Sequence, residues 1–325
     1  MTGRGGQTGR RRESRLRWAI RRNRFIQYLA CLVPRVWCSG FGRLKRFGTT
    51  IKIRGIRGQG TALCARIRDE APNLLEWIEY HKAAGVDHFF FYESFSSDNY
   101  LEMLDPYIER GIVSLQNNWP HVPVSPAAEE HCLIACMGRY EWVGFLDVDE
   151  FVVVKDGSSI SEFLRSFPSA AAVALHWRVF GSGGRTLRSE FPSIRSYTLR
   201  AADTNPHVKC FVRPECVVQN RNPHSFYYRG CRRAVTENGR PVSGSLSSPA
   251  TSERAWLNHY HFKSREEYLV KGSRVCFAES AGMKMTARPI DRVEEAMQLN
   301  NEVSDESAIQ YYLTRCRAMS ISPVL

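Results

Sequence analysis

The sequence predicts an α/β fold built on a mixed, mainly parallel sheet. Three observations lead there: strand-length apolar runs alternate with amphipathic helical stretches between residues 61 and 145, those runs are apolar on both faces, and turn residues separate them. Thr61 to Ile67 reads as the first strand. Asp69 then offers an acidic cap and Pro72 sits near the first turn of a helix, whose Leu74, Leu75, Trp77, Ile78 and His81 share a face before Gly85 stops it. Val86 to Tyr92, with its Phe89-Phe90-Phe91-Tyr92 run, is the second strand. A loop over 93–98 leads to a helix from about Asn99 to Arg110, a third strand from Ile112 to Leu115 and a helix from about Pro126 to Arg139. Strand–helix–strand spacing of this kind gives parallel strands joined by right-handed crossovers.

From Ala171 the elements shorten. Val173 to Phe180, Val208 to Val212 and Cys216 to Gln219 read as strands, Pro241 to Ser252 as a loop, and Arg292 to Arg317 as a helical tail. The expected organisation is a basic arm and linker over residues 1–58, a folded domain over 59–275 and a helical C-terminal extension over 276–325.

The net charge of +12 is concentrated in the arm, where Glu13 is the single acid among the first 58 residues. That excess speaks for a partner of the arm, an anionic membrane surface reached through residues 1–40 or a nucleic acid, rather than of the whole chain. Trp18, Phe25, Tyr28, Leu29 and Leu32 can share a helical face with arginines beside it, the pattern of a helix lying on a membrane. No recognition motif accompanies the charge, so no specific nucleic acid is expected. Phe25 to Cys38 contains Pro34 and Arg35 and falls short of the roughly 20 apolar residues a spanning helix needs. The ten cysteines include no C-x-x-C pair, which fits buried thiols in a reducing compartment. The expectation is a cytoplasmic protein, with the arm either peripheral on the inner face of a membrane or solvated without a partner.

The sharpest chemical signal is Phe145-Leu146-Asp147-Val148-Asp149-Glu150-Phe151, three acids inside an otherwise apolar run. Read as a strand, it points Asp147 and Asp149 to one side. Carboxylates at the edge of a core are costly unless something positive meets them. A magnesium or manganese ion shared with a nucleotide diphosphate would do so. In open α/β sheets ligands bind beyond the carboxyl ends of the strands, where Arg68, Asp69, Glu93, Asp147 and Asp149 all fall. Asn258 to Ser264 is the second cluster. Alternation puts His259, His261 and Lys263 on one side, suited to a metal shell and a phosphate, while Ser264 with Glu266 and Glu267 could equally cap a helix. Trp177, before Gly181-Ser182-Gly183-Gly184, reads either as a platform for a sugar beside a phosphate-cradling turn or as a buried ring before a plain hairpin. His207, Lys209, Arg213 and His224 are scattered basic groups suited to an acceptor pocket. No nucleophile motif appears, so covalent catalysis is not indicated.

Five ordered segments carry a family resemblance: Ala65-Arg66-Ile67-Arg68-Asp69-Glu70; Glu76 to His81 with Gly85-Val86; Phe145 to Phe151; Trp177 with Phe180-Gly181-Ser182; and His259-Tyr260 with Lys263-Ser264. Over about residues 61–275 the chain resembles glycosyltransferase family 92 and its bacterial family-2-like relatives. The resemblance implies a GT-A fold and manganese-dependent, inverting transfer of a hexose, often galactose, from a UDP-sugar to a glycan acceptor. It implies that Asp149 and His259 bind the metal, that Asp147 meets the ribose or metal-bound water, and that Lys263 holds the diphosphate. Arg68, Asp69 and Glu93 would surround the uridine. The catalytic base is not assigned: Glu190 and Asp203, in the acceptor half, are candidates for it, and each also reads as a surface acid. A nucleotidyl- or phosphotransferase on the same metal–nucleotide site is the alternative enzyme class, and a basic nucleic-acid-binding protein the third reading.

Overall fold

The computed structural model describes residues 58–119, 127–275 and 290–325, all within the unit Gly55–Leu325. The arm over 1–58, with its membrane-surface helix, lies outside the described residues apart from Gly58. Strand β1 (Thr61–Ile67) pairs in parallel with β2 (His88–Glu93) and with β4 (Trp142–Phe145), and β3 (Val113–Gln116) extends the parallel half beyond β2. Helices α1 (Ala71–Ala83), α2 (Tyr100–Glu109) and α3 (Ala127–Cys136) make the crossovers. The second half turns antiparallel: β8 (Asn205–Val212) lies between β4 and β6 (Ala172–Val179) and runs against both. The sheet therefore meets the expectation of a mixed, mainly parallel GT-A-type α/β fold. Among the described residues no helix is long and apolar enough to cross a membrane.

Period-two alternation explains why the central strands are apolar throughout. Leu63, Ala65, Phe89 and Phe91 face one core with the helix α1 residues Leu74, Trp77 and Ile78, while Cys64, Phe90, Tyr92, Val143 and Phe145 face a second core with Cys132 and Cys136 of α3. Cys132 and Cys136 are helix neighbours, with Sγ atoms 3.8 Å apart.

Helix α1 begins at Ala71, as Pro72 required, but its cap is borrowed. Glu70 occupies the cap position with its carboxylate turned to Asn73 Nδ2 rather than to a backbone N–H, and the Ala71 N–H donates to Asp98 of the following loop at 2.7 Å. The helix then braces β5 (Glu150–Val154): Trp77 Nε1 donates to the Glu150 carbonyl at 3.0 Å and Tyr80 Oη to the Val152 carbonyl at 2.8 Å. His81 completes the brace, with Nδ1 2.9 Å from the Trp77 carbonyl and Nε2 3.4 Å from the Val152 N–H.

Those partners fit the neutral Nδ1–H tautomer. Complete burial lowers the His81 pKa to about 3, against the weaker opposite effect of its bond to Trp77. The unfolded chain binds a proton near pH 6.5 and the native state does not, so the contribution to stability is complete above pH 6.5 and is lost as pH falls towards 3. Urea midpoints between pH 7 and 4.5 are expected to decline with a His81 share of up to about 1.4 kcal/mol per pH unit. His81→Leu flattens that decline; equal slopes in the two proteins would contradict the assignment.

The glycine turn after β6 does not form a phosphate cradle. Gly181 N–H donates to the Leu199 and Asn300 carbonyls at 2.9 and 3.1 Å, Gly183 N–H to Asn301 Oδ1 at 2.9 Å, and Ser182 Oγ to the Met297 carbonyl at 2.8 Å. A Cβ on Gly181 would stand 2.5 Å from the Leu299 carbonyl oxygen, so the glycine permits close docking of the C-terminal segment. That segment is two helices rather than one: α7 (Ile290–Gln298) and α8 (Ser307–Met319) flank the short strand β14 (Val303–Ser304), which pairs with β7 (Leu199–Arg200).

Candidate active site

The acidic segment is a turn, not a strand. Strand β4 ends at Phe145, β5 begins at Glu150, and the Glu150 N–H donates to the Asp147 carbonyl at 3.0 Å. Leu146 and Val148 are buried, at 2% and 4% exposure, which reproduces the alternation of a strand in a turn anchored by its apolar residues. The fully buried Glu150 closes the turn by accepting the Asp147 N–H at 2.8 Å.

Long-range pairing brings the second cluster here. Strand β13 (Ala255–His259) runs antiparallel to β5 with His259 opposite Glu150, and parallel to β6 with His259 opposite Val179. The Tyr260 N–H donates to the Asp149 carbonyl at 2.9 Å, fixing the chain that continues to His261 and Lys263. Ser264 then caps helix α6 (Arg265–Val275) through a reciprocal box with Glu267: the Glu267 N–H donates to Ser264 Oγ at 3.2 Å and the Ser264 N–H to Glu267 Oε2 at 3.3 Å. Of the two sequence readings of this cluster, the helix cap is present and is made by Glu267, while Glu266 accepts the Arg188 N–H at 2.8 Å.

Asp149, His259 and His261 form a group whose ligand atoms lie within 4.8 Å of one another. His259 Nε2 is 3.6 Å from Asp149 Oδ1, too long for a good hydrogen bond, and the buried His259 Nδ1 has no partner. A buried imidazole left so poorly satisfied is costly in isolation, and a cation accepting one nitrogen relieves that cost. Lys271 of α6 forms an ion pair with Asp149 Oδ2. Burial opposes ionisation of Asp149, but Lys271 and His259 outweigh it and hold its carboxyl well below the usual range.

Asp147 stands apart from the three-residue group. Its side chain is 58% exposed, and Oδ2 accepts from the buried Lys209 at 2.8 Å, with Glu150 Oε2 3.4 Å from the same ammonium. Desolvation works against the Asp147 charge and Lys209 overcomes it, lowering the pKa, whereas burial lifts Glu150 to about 7 despite Lys209. Lys209 therefore pairs with both carboxyl groups.

Asp69, Asp149 and Lys263 line one cleft of about 410 Å³, together with His261, Arg188 and Lys271. Lys263 Nζ donates to Asn73 Oδ1 at 2.8 Å, and Asp69 Oδ1 accepts the Ser97 N–H at 2.6 Å. Arg68 is not among the lining residues; its Nε lies 3.8 Å from Asp69 Oδ2. The Glu93 carboxylate is engaged in bracing loops, accepting the N–H groups of Ser96 and Asn118. Trp177 lies behind the metal-type group, its ring 4.5 Å from His259 and stacked on His207 at 4.9 Å. Glu190 and Asp203 are exposed and outside the cleft lining, so the structure does not gather them with the other candidates.

Lys271 escaped the sequence reading, although a signal existed. The Ser264–Glu267 box starts a helix, and Lys271 is one turn beyond Glu267 on the same face. His261 was visible by alternation but not set apart as a ligand. Because Lys271 occupies an oxygen a cation needs, Lys271→Met is expected to tighten nucleotide-free manganese binding about fivefold, the equivalent of roughly 1 kcal/mol for a partly exposed ion pair. Titration calorimetry measures this; unchanged or weaker binding would contradict the competition.

Fold and site together define an α/β protein with an acidic turn at the carboxyl end of a central strand. The chain belongs to glycosyltransferase family 92, whose family model matches residues 64–315. A family 92 protein of Oryza sativa subsp. japonica is 29% identical over 164 residues, covering 50% of this chain and 28% of that protein. One of Ricinus communis is 28% identical over 227 residues, covering 67% and 38%. The chain thus spans roughly a third of the length of these relatives. Among solved structures, a mannosyltransferase of Pyrobaculum calidifontis in complex with GDP-Man and Mn2+ aligns over 93% of this chain and 84% of its own, at 12% identity and a TM-score of 0.37. TarS 1-349 of S. aureus aligns over 81% and 73%, at 10% identity and a TM-score of 0.33. Likenesses this remote say nothing about substrate.

Proposed function

We propose that the protein is a manganese-dependent, inverting glycosyltransferase that moves a hexose from a UDP-sugar to a glycan acceptor, with UDP-galactose the first donor to test. The observation that supports this most is the Asp149–His259–His261 group beside a cleft lined by Lys263, Lys271 and Arg188. One carboxylate and two imidazoles suit a borderline ion such as manganese better than magnesium, which favours oxygen ligands. Bound there, the ion would supply charge neutralisation for the departing diphosphate.

The chain's own residues have separable tasks. Asp149, His259 and His261 hold the ion and Asp147 faces the ribose side of the turn. Lys263 meets the diphosphate, and Lys271, released from Asp149, adds a second cation to it. Arg68 and Asp69 border the uridine, and Glu93 acts on it indirectly by fixing loops 94–97 and 117–119. Trp177 supports the transfer centre by packing on His259.

Melting temperatures with UDP, GDP and CDP, each with and without manganese, test this reading. A ligand at 100 times its dissociation constant stabilises by about 2.7 kcal/mol. The expected shift is confined to UDP with manganese, and incubation with the UDP-hexose releases UDP. Equal shifts with all three nucleotides, no shift at all, or release of UMP would each overturn the reading.

A further inference from the structure

A second cavity, of about 330 Å³, has chemistry unlike that of the cleft. Its walls come from β9 (Val217–Asn222), β10 (Ser225–Tyr228) and the antiparallel pair β11 (Ala234–Thr236) and β12 (Pro241–Val242). Arg221, Arg233 and His224 line it beside Phe226, Tyr227 and Tyr228, and no carboxylate is among its lining residues. Neither Arg221 nor Arg233 has a carboxylate partner among the described residues, and the Arg221 guanidinium lies 5.4 Å from the Tyr227 ring centre. Tyr227 is 50% exposed, which leaves much of its surface available to a ligand.

The cavity also adjoins the transfer centre. His224 is 5.6 Å from Trp177, ring to ring, and Trp177 is 4.5 Å from His259. The cleft with Asp149 and Lys263 provides for the donor, so the partner substrate has to approach from a different wall.

We infer that this cavity is the acceptor subsite and that it takes an anionic sugar, a pyranose carrying a carboxylate or a sulfate ester. Tyr227 covers the sugar face, and Arg221 and Arg233 meet the anionic group, a use for which planar guanidinium forks are suited. Pocket size agrees, since small-molecule sites run from about 300 to 1,000 Å³. The inference rests on the transferase reading for its acceptor role, while the anion-and-ring chemistry rests on the cavity alone.

The test is calorimetry on the full chain with three probes: a uronate-bearing trisaccharide, its carboxyl-reduced neutral counterpart, and a sulfated form of that neutral trisaccharide. At least one acidic probe is expected to bind tenfold or more tighter than the neutral one, and which it is identifies the anion. Arg221→Gln, Arg233→Gln and Tyr227→Ala should each weaken that binding at least fivefold, with manganese–UDP binding unchanged. Equal binding of acidic and neutral probes would overturn the inference, as would acidic binding that survives the double arginine variant. Acidic binding indifferent to Tyr227→Ala would also overturn it, because it would reveal a charge-only surface of the kind that holds nucleic acids. A native protein that binds the acidic probe but not manganese–UDP would contradict the transferase reading and with it the acceptor role; one that binds manganese–UDP and discriminates against neither probe would sink the subsite alone.

Discussion

Asp149→Asn is expected to lower transfer by at least about 100-fold and to abolish manganese-dependent UDP binding while leaving the protein folded. The size follows from what is lost: removing one preorganised group that stabilises charge in a transition state costs about 2.7 to 4 kcal/mol in well-studied cases. The fold survives because the carboxylate is held by partners that tolerate its loss. Lys271 is 40% exposed on its side chain and can return to solvent, and the turn itself depends on Leu146, Val148 and the Glu150 bonds rather than on the Asp149 carboxylate. Kinetics and calorimetry on one preparation measure both effects. Normal transfer by a folded Asp149→Asn protein would remove the site from the mechanism.

Lys209→Met acts mainly on stability. Its ammonium is buried between Asp147 and Glu150, at 2.8 and 3.4 Å, and at pH 8, above the Glu150 pKa of about 7, its removal strands Glu150 as a buried acid without a cation. Breaking a buried pair from one side costs about 3 to 5 kcal/mol, which in a domain of this size lowers the melting temperature by roughly 10 °C. Adding Glu150→Gln should recover most of the loss, since the amide oxygen can still accept the Asp147 N–H and no buried charge remains. Thermal melts of the native protein and the two variants decide it. A Lys209→Met melt equal to that of the native protein, or a double variant no better than the single, would show that the lysine is not the counter-ion of the turn.

Local pattern made the parallel half of the fold legible. Thr61 to Ile67, the helix begun at Pro72 and halted at Gly85, and the two-faced Phe89-Phe90-Phe91-Tyr92 run each declare themselves within a dozen residues. The acidic turn misled because Leu146 and Val148 bury themselves in alternation with the acids, and the difference from a strand lies in one bond, from the Glu150 N–H to the Asp147 carbonyl. The glycine turn after Trp177 misled for another reason: its closeness serves the docking of residues 297–301, which nothing nearby in sequence announces. The same limit applies to the site. Asp149 and His259 could be named separately, but their meeting depends on β13 inserting between β5 and β6, a pairing set by tertiary contacts. Lys209, read from the sequence as a basic group suited to an acceptor pocket, is instead the cation of the turn, which only the placing of β8 reveals, and Lys271 came into view only with α6. Glu190 and Asp203 show the converse, acids proposed from sequence position alone and found exposed.

Anomalous diffraction at the manganese edge, from crystals grown with manganese and UDP, tests the central claim most directly. The account predicts one strong peak coordinated by Asp149, His259 and His261, with the diphosphate completing the shell and Lys271 withdrawn from Asp149. Ordered UDP with no manganese peak among these three residues, or a peak elsewhere in the molecule, would contradict it.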